Sequence, residues 1–297
     1  MPCYHPFDAW RAPSGAVSVG YEVADSQPLK LPCGNCYGCM KERARDWSVR
    51  CQHEASCWSS SCFLTLTYDD EHLPKDHNLV PRDLQLFMMR FRQRVNGVDS
   101  LPDGSRPVRF FACGEYGDRT QRPHYHVLLF NVSLPRNKML GASRYSSDVL
   151  DRSWKLGHAV VDQVTSRSIA YVARYCVKKL RRKRQEWVKA QTGEVVPRVP
   201  EFGRMSLRPA IGQYWFDKYS SDLCRGYCVV DGRKVRLPRF YTDKLIEKYP
   251  DFELKQSDRK EEYLISKAFE RMDQHDRDVA EIVDKARDRM YRGDSVL

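Results

Sequence analysis

RPHYHVLLF, residues 122–130, is the stretch whose reading decides the fold. Its second half, Val127 to Phe130, is an apolar run of strand character, and a strand repeats every two residues. His124 and His126 therefore project from one face at the start of the strand, with Tyr125 between them on the other. Two polar residues at a solvated strand end would look the same, so the pattern needs support from elsewhere. The preceding stretch VRFFACGEYG (108–117) reads as a second strand, and the short polar segment DRTQ joins the two as a hairpin. In that hairpin Glu115 comes within reach of the histidine face, subject to a register the sequence leaves open.

Working outward, CFLTLTY (62–68) is a buried strand rich in β-branched and aromatic residues. PRDLQLFMMRFRQRVNG (81–97) carries helix start and stop signals in Pro81 and Gly97, with Leu84, Phe87, Met88 and Phe91 on one apolar face. MKERARDWSVRCQHEASCW (40–58) has helical spacing, SSDVLDRSWKLG (146–157) is a short helix, and HAVVDQV (158–164) is a strand. SRSIAYVARYCVKKLRRKR (166–184) is a helix that grows basic towards its end. The first thirty residues, rich in Pro, Gly and Ser, read as irregular. From residue 60 the order is strand, helix, strand, strand, helix, strand, helix. That order predicts an α+β fold: a ferredoxin-like or RRM-like antiparallel sheet (split βαβ) with helices on one face. An N-terminal Cys-rich segment precedes it, and a helical C-terminal extension follows.

The chain of 297 residues is 41% hydrophobic, enough for a sizeable core, and no apolar run is long enough to span a bilayer. The N-terminus shows neither the basic start nor the apolar stretch of a signal peptide. A reducing cytoplasm is expected, where the eleven cysteines stay thiols or bind metal. The formal charge of +11 is unevenly spread. Residues 165–240 hold eighteen Lys/Arg against six Asp/Glu, and residues 241–297 hold twelve against fifteen. A basic middle of this kind suits a polyanion, of which nucleic acid is the commonest.

Three groupings carry chemistry. His124, His126 and Glu115 together form a two-imidazole, one-carboxylate set for a divalent metal, with coordination positions left open for a phosphate oxygen. In YVARYCVKK (171–179), Tyr171 and Tyr175 stand at i and i+4 on one helix face. Core packing would produce the same spacing, but Lys178 and Lys179 follow, then Arg181, Arg182, Lys183 and Arg184, an unusual setting for an apolar face. A phenol needs such help to act as a nucleophile at neutral pH, and the basic run suits a phosphate backbone. In CGNCYGC, Cys33, Cys36 and Cys39 follow each other at knuckle spacing, as in a structural Zn²⁺ site that needs a fourth ligand. Cys3, His5, Cys51 and His53 are the candidates. Reduced thiols in a tight Gly-containing turn remain the other reading of this cluster.

FLTLTY, RPHYHVLLF and YVARYCVKK resemble, in order, the three motifs of the HUH endonucleases that initiate rolling-circle replication. LPCGNCYGCMKERARDWSVRCQHEA and PEFGRMSLRPAIG are similar to the gokushovirus branch of the microviruses, which are single-stranded DNA phages. The resemblance implies that His124 and His126, with Glu115, hold Mg²⁺ or Mn²⁺ against the scissile phosphate of the viral-strand origin. One tyrosine then attacks, leaving a 5′-phosphotyrosine link and a 3′-OH primer, and the second later rejoins the strand into a circle. Lys178 matches the family lysine that steadies the phosphate. Tyr125 departs mildly from the bulky apolar residue usual between the histidines, and it is expected to pack beneath the sheet. The implied organisation is 1–60, Cys-rich segment and helix packed on the catalytic domain; 61–185, catalytic domain; 186–240, basic extension; 241–297, charged helical tail. Expected partners are the single-stranded or supercoiled viral DNA origin, a host DNA polymerase and a host helicase, since no Walker loop occurs. No membrane is involved, and the location is the cytoplasm of the bacterial host. The competing class is a zinc-stabilised, non-catalytic single-stranded nucleic-acid-binding protein whose tyrosines stack on bases.

Overall fold

The computed structural model describes residues 3–117, 120–178, 185–188, 195–252 and 272–293. The chain divides into two compact units, one of Met1–Arg43 with Leu245–Leu297 and the other of Ala44–Lys244. The stretch read as irregular contains β1 (Phe7–Arg11), β2 (Val17–Val19) and β3 (Gln27–Leu31), antiparallel in the order β2-β1-β3. These strands are short and mostly exposed, so they lack the apolar alternation by which a strand is read from sequence. Helix α1 (Tyr37–Ser56) follows.

The larger unit is built on β4 (Ser61–Tyr68), α2 (Pro81–Arg92), β5 (Arg109–Tyr116), β6 (Pro123–Phe130), β7 (Lys138–Met139), β8 (Tyr145–Ser146), α3 (Asp148–Ser153), β9 (Gly157–Gln163) and α4 (Ser166–Lys178). Beyond a paired β10 (Gln185–Val188) and β11 (Val195–Arg198), β12 (Phe202–Met205) returns to the sheet. Its seven strands stand in the order β12-β5-β6-β4-β9-β8-β7, and every pairing is antiparallel. The fold class is therefore α+β with a large antiparallel sheet, as expected. The outlying strands β7, β8 and β12 were not read from the sequence; each has only two to four residues. Helix α5 (Gln213–Tyr219), the pair β13 (Tyr227–Val230) and β14 (Arg233–Arg236), α6 (Arg239–Lys248) and α7 (Gln274–Gly293) complete the described elements used below.

The expected helices on one face are α2 and α3: Leu84, Phe87, Met88, Phe91 and Leu150 pack with Leu64, Leu66, Tyr125 and Val127. The opposite face is covered as well, which corrects the one-faced expectation. There Cys51 of α1 and Ile169 and Val172 of α4 pack with Phe111, Cys113, Leu128 and Phe130. The physical reason lies in β5 and β6, where seven of eight residues each are buried, so both faces need a cover. Helix α2 ends at Arg92, short of Gly97. Gly97 is there for a close approach instead: a Cβ would meet Asn131 and stand 2.9 Å from Pro107 O.

Two buried groups of α1, both within the larger unit, hold this part of the helix in place. Glu54 accepts hydrogen bonds from Arg109 Nε, Trp58 Nε1 and Gly212 N, while Arg109 also reaches Pro209 O. Arg109 opens β5, so this pair anchors the strand that carries Glu115. His53 lies flat on Trp215, ring centroids 3.6 Å apart, and its Nδ1–H donates to Tyr241 Oη at 3.1 Å. Burial pushes its pKa down to about 4.

Glu54→Ala would leave Arg109 charged and buried, and urea denaturation is expected to show a loss of about 3–5 kcal/mol. For His53, the unfolded chain takes a proton below the model-peptide value near 6.5 that the folded chain refuses down to about 4. Its contribution to stability is complete above that range and is lost as the pH falls through it. Stability curves of the wild type and His53→Phe should therefore diverge between pH 6.5 and 4, by up to about 1.4 kcal/mol per pH unit.

Candidate active site

The β5–β6 register builds the site. It places Glu115 directly opposite His124 and Cys113 opposite His126, and the β4–β6 register places Thr65 opposite His126. With side chains alternating along each strand, Glu115, His124 and His126 share the face that α4 partly covers. Glu115 Oε1 lies 2.9 Å from His124 Nε2 and 2.8 Å from His126 Nε2. The same oxygen accepts a hydrogen bond from Tyr171 Oη at 3.1 Å. Tyr171 sets its ring edge-on to His126, centroids 5.2 Å apart, and keeps 39% of its surface exposed. The half-open phenol thus touches both the carboxylate and an imidazole.

The outer contacts orient the rings. His124 Nδ1–H donates to Arg122 O at 3.2 Å, and His126 Nδ1 is hydrogen-bonded to Thr65 Oγ1 at 3.1 Å. Each ring therefore turns Nε2 to Glu115. For His124, whose Nδ1 proton is committed, the neutral ring would set a lone pair against a carboxylate, and a cation or a proton must lie between them. Burial is the largest influence on Glu115 and pushes its carboxyl up, but the two histidines outweigh it and bring it down to about 2. On His124 burial acts downward, and Glu115 overcomes it and raises the pKa. On His126 burial prevails and lowers it.

The donor set fits a hard divalent cation. Cis ligands of an octahedral ion with bonds near 2.1 Å stand about 3 Å apart, which the Glu115–histidine distances match. Glu115 Oε2 is buried with no hydrogen-bond partner among the described residues. Two imidazoles, each held by an outer hydrogen bond, and a carboxylate converging at one strand end form the arrangement of a metal site with open positions.

A second cluster lies in the smaller unit. Cys3 joins Cys33, Cys36 and Cys39, with their sulfurs all within 4.8 Å of one another. The fourth position among the four candidates is thus Cys3. His5 bonds Glu281 instead, and Cys51 and His53 are buried in the larger unit. The Cys3 and Cys36 sulfurs are 3.7 Å apart, and a tetrahedral ion with 2.3 Å bonds to sulfur sets its ligands about 3.8 Å apart. Backbone N–H groups of Cys33, Tyr4, Asn35 and Cys36 point at the sulfurs of Cys3, Cys36 and Cys33. A hydrogen bond with Cys39 draws the Cys36 thiol down, while burial pushes Cys3 up and the bond to Cys36 pushes Cys39 up. Four sulfurs this close hold little negative charge until a cation joins them.

Tyr175 and Lys178 lie on α4 four and seven residues after Tyr171, with side chains outside the described residues. Lys179, Arg181, Arg182, Lys183 and Arg184 also lie outside the described residues. Tyr125 is fully buried on the far face, its hydroxyl bonded to Tyr68 Oη at 2.7 Å and to Val80. Thr65 was missed from the sequence, although its alternation with Thr67 in FLTLTY places it on the histidine face.

Residues 61–180 match the family model for replication-associated protein ORF2/G2P. The chain is 34% identical over 263 residues to replication-associated protein VP4 of Bdellovibrio phage phiMH2K, a match covering 84% of this chain and 79% of that one. It is 32% identical over 170 residues to replication-associated protein ORF4 of Chlamydia phage 1, covering 54% and 41% of the two chains. Over 174 residues it is 32% identical to replication-associated protein ORF2 of Spiroplasma virus 4, covering 55% and 52%. No solved structure matches it significantly. Among the described residues, no helix is long and apolar enough to cross a membrane.

In an electron paramagnetic resonance titration with Mn²⁺, we expect one tight site that His126→Ala removes and Thr65→Val weakens about ten- to a hundredfold. The relatives and the matched family model agree on one conclusion: the chain belongs to the phage replication-associated proteins of the ORF2/G2P family.

Proposed function

We propose that this protein is a rolling-circle replication initiator that nicks the viral-strand origin of a single-stranded DNA phage and later rejoins the strand. The observation that carries this reading is the contact of Tyr171 Oη with Glu115, 3.1 Å away, beside both histidines. Tyr171 Oη attacks the scissile phosphorus, and the bond to the 3′ oxygen breaks. This gives a 5′-phosphotyrosine link, with the phenolic proton passing first towards Glu115 and a proton taken up by the released 3′ oxygen, which becomes the 3′-OH. A Mg²⁺ or Mn²⁺ ion held by His124, His126 and Glu115 supplies Lewis-acid polarisation of the phosphate. The half-exposed position of Tyr171 gives DNA access while His126 holds the ring on one side.

Tyr175, one helical turn on, serves as the second nucleophile when the regenerated origin is cut and the freed 3′-OH attacks the first link. Lys178 steadies the phosphate, and Lys179, Arg181, Arg182, Lys183 and Arg184 hold the DNA backbone. The four-cysteine cluster takes a structural Zn²⁺. The domain scheme of the sequence reading stands as part of this proposal, with 61–185 as the catalytic segment. The protein works in the bacterial cytoplasm, where a host polymerase extends the 3′-OH and a host helicase opens the duplex.

With a single-stranded origin oligonucleotide and Mn²⁺, a covalent DNA adduct is expected that resists denaturation. It should fall at least a hundredfold in Glu115→Gln, survive in part in Tyr171→Phe or Tyr175→Phe, and vanish in the double variant. DNA binding without an adduct across several origin sequences and metals would make the protein a non-catalytic binder.

A further inference from the structure

Helix α7 lies in the stretch read from sequence as a charged helical tail. Its polar side chains grip the N-terminal segment at four residues. Tyr4 Oη donates to Asp284 at 3.0 Å, and His5 Nε2 lies 2.7 Å from Glu281 Oε2. Glu281 also accepts the backbone N–H of Tyr37 at 3.0 Å, and the Tyr37 hydroxyl bonds Asp288. Tyr37 is the first residue of α1, so Glu281 sets a carboxylate at a helix N-terminus. Lys41 Nζ reaches Asp284 at 2.8 Å and Asp288 at 3.0 Å. Gln274 adds a bond to Tyr4 O at 3.2 Å.

Every one of these gripping residues lies within two positions of a clustered cysteine. Tyr4 and His5 follow Cys3, Tyr37 follows Cys36, and Lys41 stands two beyond Cys39. The sulfurs bind those positions together: Tyr4 N–H donates to Cys36 Sγ, and Cys33 N–H donates to Cys3 Sγ. An N–H bond to a thiolate is charge-assisted, and a thiol is only a weak acceptor. The socket for α7 therefore depends on the spacing of the cluster.

We propose that one soft divalent ion of the Zn²⁺ class, bound by Cys3, Cys33, Cys36 and Cys39, fastens the C-terminal helix α7 to the N-terminal segment. This rests on reading the cluster as a metal site. The coupling is geometric, because a divalent ion with four thiolates carries net negative charge and would not itself attract Glu281, Asp284 and Asp288. Losing the ion frees Cys3 from the knuckle, and Tyr4 and His5 lose their register with Tyr37 and Lys41. By linkage, the helix in turn tightens the metal site.

The test uses the full chain. Loading with Co²⁺ is expected to give one equivalent bound with an intense thiolate charge-transfer absorption, absent in Cys39→Ser. Hydrogen–deuterium exchange of residues 274–289 should then quicken at least tenfold on chelation of Zn²⁺, while exchange in β4 and β6 stays unchanged. Glu281→Gln with Asp284→Asn should weaken Co²⁺ binding severalfold without altering the absorption. The thiolate spectrum with unchanged exchange in α7 would overturn the coupling and leave the metal site standing. A chain that shows no thiolate spectrum would overturn the metal site and the coupling with it.

Discussion

The pairing of β5 with β6 is the constraint on which the site depends. Glu115 can meet His124 and His126 only when residue 115 stands opposite residue 124, and a slip of one residue would turn the carboxylate to the other face. The register is held at both ends. At the start of β5, Arg109 is fixed by Glu54 of α1, and on the other side β6 is locked to β4 along seven residue pairs. Beneath the sheet, Tyr125 ties β6 to Tyr68 and to the chain entering α2. The chemistry on one face is thus positioned by packing on the other.

This explains why both faces carry helices. A site at the end of a strand needs a rigid sheet, and α2 and α3 supply the apolar cover for its back. The front has a second task, since α4 must bring Tyr171 to the carboxylate. Ile169 and Val172 seat α4 against Phe111, Cys113, Leu128 and Phe130, and Tyr171, which falls between them in sequence, turns to the edge of that contact. One helix thereby both covers the core and delivers the phenol to its place beside His126.

Much of this was legible in the residues. The His-x-His pattern, the i, i+4 tyrosines and the apolar face of α2 are local periodicities, and each element they predict is present with bounds shifted by a few residues. Glu115 was legible only as a residue in reach. The edge strands and the N-terminal sheet were not, because short exposed strands carry no apolar alternation. Cys3 stood among four equal candidates, since a ligand thirty residues from its knuckle is chosen by the path of β1 and β3, not by spacing.

The sequence by itself determined the long strands and helices around the site, the shared face of His124 and His126, and the residue types able to hold a metal or attack a phosphate. These follow from the two-residue and 3.6-residue repeats, which are properties of the local backbone. Only the tertiary structure decided that Glu115 faces both imidazoles, that Tyr171 reaches the same carboxylate oxygen, and that Cys3 completes the cysteine cluster against a C-terminal helix. Each of those joins residues from different elements, and the contact between elements is set by strand register and core packing, which no local period contains.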